Sequence, residues 1–373
     1  MIPRNLEKII LERIGKKKII LILGARQTGK TTLVKHIAEQ LSLKTLWLNG
    51  DEPDIREMLS NATSTQLKTM IGTHQLVIVD EAQRIENIGL TLKLMVDNLP
   101  DIQIIATGSS SLELANRISE PLTGRKYEFY LYPLSYREMV EYHGQLEENR
   151  LLEHRLIYGY YPEVVTHPGE EIELLSLLSN SYLYKDLFTL ESIKKPAVLE
   201  KLVRALALQI GNEVSYYEIG QLIGADKQTV ERYIDLLEKA FIVFRLHSLS
   251  GNLRNEIKKS RKIYFYDTGI RNAVIKNFNP LSFRQDVGVL WENFLITERM
   301  KRNHYLQMPV NQYFWRTHAH QEIDYVEEYN GKFYAYEFKW NPAKKVRFPK
   351  TFLKAYPEAE IAAIHPKNFT EFL

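Results

Sequence analysis

Gly24-Ala25-Arg26-Gln27-Thr28-Gly29-Lys30-Thr31 follows the pattern G-x-x-x-x-G-K-[ST]. This is the spacing of a P-loop, in which backbone N–H groups cradle phosphate. Ahead of it, Lys18-Ile19-Ile20-Leu21-Ile22-Leu23 is apolar and β-branched, as a buried strand requires. Behind it, Leu33, Val34, Ile37, Ala38 and Leu41 recur at helical spacing. Strand, glycine loop and helix together are the context that gives the motif its chemistry. The two glycines allow a tight turn, and the helix N-terminus adds partial positive charge. Lys30 is then expected to reach the β- and γ-phosphates of ATP, and the Thr31 hydroxyl to hold Mg²⁺. The nucleotide-binding set reads as Gly24, Ala25, Arg26, Gln27, Thr28, Gly29, Lys30, Thr31 and Thr32, with Thr107 added from a later strand.

That reading predicts an acidic strand end further on. Gln75-Leu76-Val77-Ile78-Val79-Asp80-Glu81 supplies one. Asp80 is expected to anchor Mg²⁺, and Glu81 to act as the base for the attacking water. A third strand, Ile102 to Ala106, runs into Thr107-Gly108-Ser109-Ser110-Ser111. A polar residue there fits a γ-phosphate sensor, or equally a helix N-cap among Ser109, Ser110 and Ser111. Leu46-Trp47-Leu48-Asn49 and Tyr127-Glu128-Phe129-Tyr130-Leu131 read as two more strands. The fold class is therefore α/β, a parallel P-loop NTPase sheet with covering helices and phosphate chemistry at the carboxyl ends of the strands.

The chain has 373 residues, 45% hydrophobic and 25% charged, with a formal net charge of +3 and no Cys. This is an ordinary globular composition, long enough for two or three domains. Without Cys there is no disulfide, thiolate metal site or cysteine nucleophile. No run of about 18 apolar residues predicts a membrane span. The N-terminus reads as a charged amphipathic helix and not a signal peptide, so a cytoplasmic protein is expected. The net charge is too small to imply nucleic acid by itself.

Three domains are expected: an ATPase domain at 1–145, a helical domain at 146–250 and a C-terminal α/β domain at 251–373. Within the second, Tyr216 to Ile223, Gly224 and Asp226 to Leu237 form a helix, a glycine turn and a second helix. Phe241 to Leu246 reads as a wing strand, giving a winged-helix-like unit. Lys227, Gln228 and Arg232 are its candidate DNA-facing side chains. A structural helix packing unit with solvated polar residues is the alternative. Lys258, Lys259, Arg261 and Lys262 are expected either to track a phosphate backbone or to form a solvated basic loop.

The last third carries a second acidic constellation. Glu322-Ile323-Asp324-Tyr325-Val326 and Phe333 to Trp340 are two strands joined by Asn330-Gly331, a hairpin signal. Strand alternation sets Glu322 with Asp324 and Glu337 with Lys339. Asp324, Glu337 and Lys339, with Glu292 from a preceding helix, could gather as a Mg²⁺ site for phosphodiester hydrolysis, or as cross-strand ion pairs of an ordinary hairpin.

The chain resembles a widespread prokaryotic family of AAA-type ATPases. Members fuse a P-loop domain to a C-terminal domain of unknown function whose core is similar to PD-(D/E)XK endonucleases. The resemblance covers nearly the whole chain. It rests on the P-loop, Val79-Asp80-Glu81-Ala82-Gln83, Thr107-Gly108-Ser109-Ser110, Thr123-Gly124-Arg125, Tyr132-Pro133-Leu134-Ser135, Tyr264-Phe265-Tyr266-Asp267-Thr268-Gly269, Trp291-Glu292-Asn293-Phe294, Glu322 to Val326 and Glu337-Phe338-Lys339. By that resemblance Asp324, Glu337 and Lys339 match the nuclease-like motif, with Asp324 and Glu337 as metal ligands, and Glu292 matches its helical acid. Arg125 becomes a candidate charge stabiliser for its own or a neighbouring ATP, with a structural ion pair as the alternative. The resemblance implies an ATPase with ATP and Mg²⁺ as ligands and DNA as a candidate partner. A nucleotide-gated switch for a protein partner, with an inactive nuclease-like domain, is the alternative; a homo-oligomer is compatible with both.

Overall fold

The computed structural model describes residues 2–108, 122–182, 195–249, 260–317 and 319–373. Ser109 to Ser111, Lys258 and Lys259 fall outside them, so the expected helix cap and half of the basic stretch lie outside the described residues. The chain divides into two compact units. One comprises Met1–Leu134 with Lys239–Phe241, and the other holds most of the chain from Ser135 to Leu373.

The first unit is built on five strands: β1 (Ile19–Leu23), β2 (Thr45–Asn49), β3 (Leu76–Asp80), β4 (Gln103–Gly108) and β5 (Lys126–Tyr130). Their order is β2-β3-β4-β1-β5, and all neighbours pair parallel. β1 and β3 are buried along their whole length, which explains their unbroken Ile, Leu and Val. Parallel pairing brings the ends of β1, β3 and β4 to the same edge. Leu23 stands beside Gly108, and Asn49 beside Asp80.

The second unit begins with short helices and continues into a mixed six-stranded sheet. Its strands are β6 (Val243–Ser248), β7 (Arg261–Phe265), β8 (Asn311–Arg316), β9 (Glu322–Tyr329), β10 (Lys332–Phe338) and β11 (Glu360–Ile364). The order is β11-β10-β9-β8-β6-β7. β9 and β10 form the expected hairpin, with Asn330 and Gly331 at φ 51° and 76°, the signs a type I′ turn requires. The helix Val287–Tyr305 buries Leu290, Trp291, Phe294 and Leu295.

The helix–turn–helix is present as Tyr216–Ile223 and Lys227–Lys239. Gly224 takes a left-handed φ of 74° at the turn, which favours glycine. A Cβ on Gly220 would stand 2.5 Å from the Ala225 carbonyl oxygen, so that helix must carry glycine where the turn crosses it. The expected wing is different. Phe244 to Leu246 lie in β6, which pairs antiparallel with β7 and, further along, parallel with β8. Its pairing with β8, at His247 and Ser248, joins it to the six-stranded sheet. Val243, Phe244 and Leu246 are buried. Among the described residues, no helix is long and apolar enough to cross a membrane.

Candidate functional site

The glycine loop sits between β1 and the helix Lys30–Leu41. Two of its features need particular residues. A Cβ on Gly24 would run into the Leu131 carbonyl, and Gly29 has φ 91°. The loop is braced from within, since the Thr28 hydroxyl donates to the Ala25 carbonyl at 2.8 Å. The Lys30 ammonium donates to the Gly24 and Ala25 carbonyls at 2.9 and 2.8 Å. It therefore lies folded over the loop, at the point where phosphate oxygens would draw it.

Three strand and helix ends meet beside it. Thr31 Oγ1 donates to Asp80 Oδ2 at 2.9 Å. The Thr107 hydroxyl donates to Asp80 Oδ1 and accepts from the Glu81 backbone N–H at 3.2 Å. Thr107 thus acts in this arrangement as the strut between the two acids. Asp80 is 6% exposed, whereas Glu81 is half-buried. Glu81 adopts φ 50° and ψ 42°, a left-handed backbone that side chains other than Asn, Asp and Gly rarely take. Such strain is characteristic of residues whose position matters. Gly50 packs against this bend; a Cβ there would stand 2.5 Å from the Glu81 carbonyl oxygen.

The donor set fits Mg²⁺. A hydroxyl and a carboxylate, both hard oxygen ligands, lie within one hydrogen bond of each other at the mouth of an N–H cradle. The loop depends on glycine at Gly24, where the Leu131 carbonyl leaves no room for a Cβ, and at Gly29, where φ is positive.

Sequence reasoning missed two participants. Arg4 is buried, and its guanidinium donates to the Thr28 carbonyl at 2.7 Å and the Tyr132 carbonyl at 2.6 Å. It pins the loop to the segment after β5, a contact spanning 128 residues that no local pattern announces. Gln83 donates from its amide to the Glu81 carboxylate; its place in Asp80-Glu81-Ala82-Gln83 was visible but its role was not. Arg125 sits elsewhere. Ile19 N–H donates to its carbonyl, at the amino end of β1. The P-loop leaves the other end, about 16 Å along five strand residues. Arg125 forms an exposed ion pair with Asp97 at 2.7 Å, the structural alternative expected for it.

The C-terminal residues do converge. Asp324 accepts from the Phe338 N–H at 2.8 Å and from the Lys339 ammonium at 3.3 Å. Lys339 also donates to Glu337 at 2.7 Å. Glu292 accepts from Lys262 at 3.1 Å and from the Tyr264 hydroxyl. Lys262 also pairs with Glu322 at 2.5 Å, and Glu322 with Arg316 at 3.3 Å. Burial lifts the Glu292 carboxyl from 4.5 to about 7, with Asp324 adding to the rise and Lys262 opposing it. Burial and the nearby Asp324 charge also raise Glu337, against Lys339. This donor set does not fit a divalent cation as arranged. Lysine ammoniums stand among the acids, and among the described residues no group of three or more His, Asp or Glu could hold a metal ion. Lys262 also corrects an expectation: it is 1% exposed and cannot follow a phosphate backbone.

On the helix–turn–helix, Lys227, Gln228 and Arg232 are exposed. Lys227 and Arg232 flank a cleft of about 560 Å³ that Lys195, Tyr217 and Gln221 also line. Asp226 caps the second helix by accepting from the Thr229 N–H at 2.8 Å.

Comparison with known proteins places these features. Residues 16–140 match the family described as an AAA domain, 149–281 a domain of unknown function (DUF8612), and 287–369 another (DUF4143). The chain thus carries an AAA-type P-loop ATPase domain and a DUF4143-type C-terminal domain. It is 26% identical over 358 residues to the uncharacterized protein Rv2008c of Mycobacterium tuberculosis, covering 95% of this chain and 77% of the relative. It is 22% identical over 379 residues to the uncharacterized protein MJ1544 of Methanocaldococcus jannaschii, covering 95% and 82%. Among solved structures it is similar to the RuvB Holliday junction branch migration motor of Thermotoga maritima, with TM-score 0.34 and 14% identity over 74% of this chain and 94% of that one. It is also similar to Cdc6p from Pyrobaculum aerophilum, with TM-score 0.29 and 12% identity over 74% and 95%.

Proposed function

We propose that the chain hydrolyses ATP with Mg²⁺ and couples turnover to DNA binding through its helix–turn–helix. The observation that carries the ATPase reading is the hydrogen-bonded line from Thr31 through Asp80 to Thr107 and on to the Glu81 backbone. This line supports the reading because it ties Thr31, Asp80 and the Glu81 backbone together beside the glycine loop.

In this reading Lys30 exchanges the Gly24 and Ala25 carbonyls for the β- and γ-phosphates. Thr31 and Asp80 would hold Mg²⁺, which when bound would offset the charge of the phosphates. Glu81 takes a proton from the attacking water as the bond between the γ-phosphorus and the ADP oxygen breaks. Gln83 orients the Glu81 carboxylate, and Thr107 holds its backbone. Arg125 is available in trans, to the ATP of a neighbouring copy. Lys227, Gln228 and Arg232 supply the DNA-facing set, two of them cationic.

A second reading is a nucleotide-gated switch for a protein partner, with the nuclease-like region as scaffold. The lysines seated among Glu292, Glu322, Asp324 and Glu337 favour it for that region. ATP hydrolysis measured with and without single- and double-stranded DNA separates the two. Stimulation by DNA that is lost in Arg232→Ala supports DNA coupling; hydrolysis that ignores DNA selects the switch. Wild-type turnover in Lys30→Ala would remove the ATPase assignment itself.

A further inference from the structure

The second unit holds its four acids in an unusual way. Glu292 comes from a helix, Glu322 and Asp324 from β9, and Glu337 from β10. In the nuclease-like reading Asp324 and Glu337 would be the ligands of a divalent cation, with Glu292 beside them; Glu322 shares the β9 face of Asp324. Lys262, from β7, stands among them instead. Its ammonium reaches Glu292 Oε1 at 3.1 Å and Glu322 Oε1 at 2.5 Å. It thereby bridges helix and sheet in the manner of a metal ion, with one charge in place of two. Mg²⁺ needs oxygen ligands at about 2.0–2.1 Å; a nitrogen that close to both carboxylates fills the volume such an ion would use.

Other side chains engage the same acids. Tyr264 donates to the same Glu292 oxygen, and Arg316 engages the other oxygen of Glu322 at 3.3 Å. Lys339 spans Asp324 and Glu337. The Phe314 ring lies 5.4 Å from the Lys262 ammonium, and Lys262 is 1% exposed. A buried ammonium is tolerable only where acids surround it, and buried acids only where a cation does.

We propose that Lys262 is the built-in counter-ion of this cluster, occupying the place of a divalent cation, so that the acids form a metal-free ionic lock. The feature is independent of ATP turnover, and its test uses no nucleotide.

The test titrates Mn²⁺ into the nucleotide-free full-length protein carrying Asp80→Asn, which removes the P-loop's metal carboxylate. Unbound Mn²⁺ is followed by its paramagnetic resonance signal. With Lys262 present, adding Asp324→Asn is expected to leave Mn²⁺ retention unchanged. Lys262→Ala is expected to gain Mn²⁺ binding, to lose it again on adding Asp324→Asn, and to show a melting midpoint raised by Mn²⁺. Asp324-dependent Mn²⁺ binding in the protein that keeps Lys262 overturns the proposal. So does a folded Lys262→Ala protein that binds none. Should Lys262→Ala not fold, the Lys262-containing pair decides alone: Asp324-independent retention supports the lock, and Asp324-dependent binding overturns it.

Discussion

Thr31 Oγ1 donates a 2.9 Å hydrogen bond to Asp80 Oδ2, tying the first turn after the glycine loop to a strand two places away in the sheet. The two residues are 49 apart in sequence. Parallel pairing through β4 makes them neighbours, and Thr107, at the end of β4, completes the junction.

Glu81→Gln keeps the shape of the side chain and removes its basicity. ATP hydrolysis is expected to fall by about 10²–10⁴ in kcat, with nucleotide binding retained. A steady-state phosphate assay alongside a fluorescent-nucleotide titration checks both halves.

Thr107→Val is isosteric but leaves Asp80 short of a donor and the Glu81 N–H short of an acceptor. The loss should be felt in kcat more than in KM, because Thr107 touches the acids and not the loop. A rate reduction restored by Thr107→Ser would confirm that the hydroxyl is what matters; an unchanged rate in Thr107→Val would remove its positioning role.

Arg4→Met strips the Thr28 and Tyr132 carbonyls of a charged donor. Each buried acceptor left unpaired costs about 1–3 kcal/mol. The melting midpoint should drop, and saturating nucleotide should recover part of the drop if the glycine loop is what loosens. Differential scanning fluorimetry with and without ATP reads both.

Lys227→Ala and Arg232→Ala should each lower the slope of log affinity for DNA against log salt by about one, if each meets a phosphate. Both side chains are exposed, so the fold should be unaffected. Anisotropy titrations of labelled duplex at several salt concentrations provide the slopes.

Glu292 holds its proton more tightly in the folded chain, at about 7 against 4.5. A carboxyl whose pKa rises on folding makes the folded state bind more protons, so its part of the stability falls as pH rises through the window from 4.5 to about 7. Glu292→Gln should flatten that portion of the profile. Melting midpoints recorded across the window would show it, and parallel profiles for the two proteins would contradict it.

Much of the ATPase domain was legible because its signals are local. The P-loop spacing, the apolar runs of β1 and β3, and the acids at Asp80 and Glu81 lie within single elements, so period and motif are enough to find them. The hairpin at Asn330-Gly331 was legible for the same reason. The strand expected over Phe241 to Leu246 was legible as a buried strand, but not the sheet it joins. Only its partners, β7 and β8, say which sheet it joins, and β8 lies more than 60 residues further on. Arg125 likewise carried a motif but no address; the register of β5 against β1 puts it at the amino end of the sheet.

The sequence by itself determined the strand, glycine loop and helix, with Lys30 and Thr31 placed by spacing on that one unit, and it determined that two groups of acids exist. Tertiary structure decided what surrounds each group. At Asp80 it brought two hydroxyls, Thr31 and Thr107, which leave a carboxylate suited to a metal ion. At Glu292 and Glu322 it brought the Lys262 ammonium, from a basic stretch whose pattern suggested a phosphate backbone or solvent. The physical reason is range. Hydrophobic period and glycine turns act over a few residues, whereas the balance of charge in a buried cluster depends on which distant strands pack together.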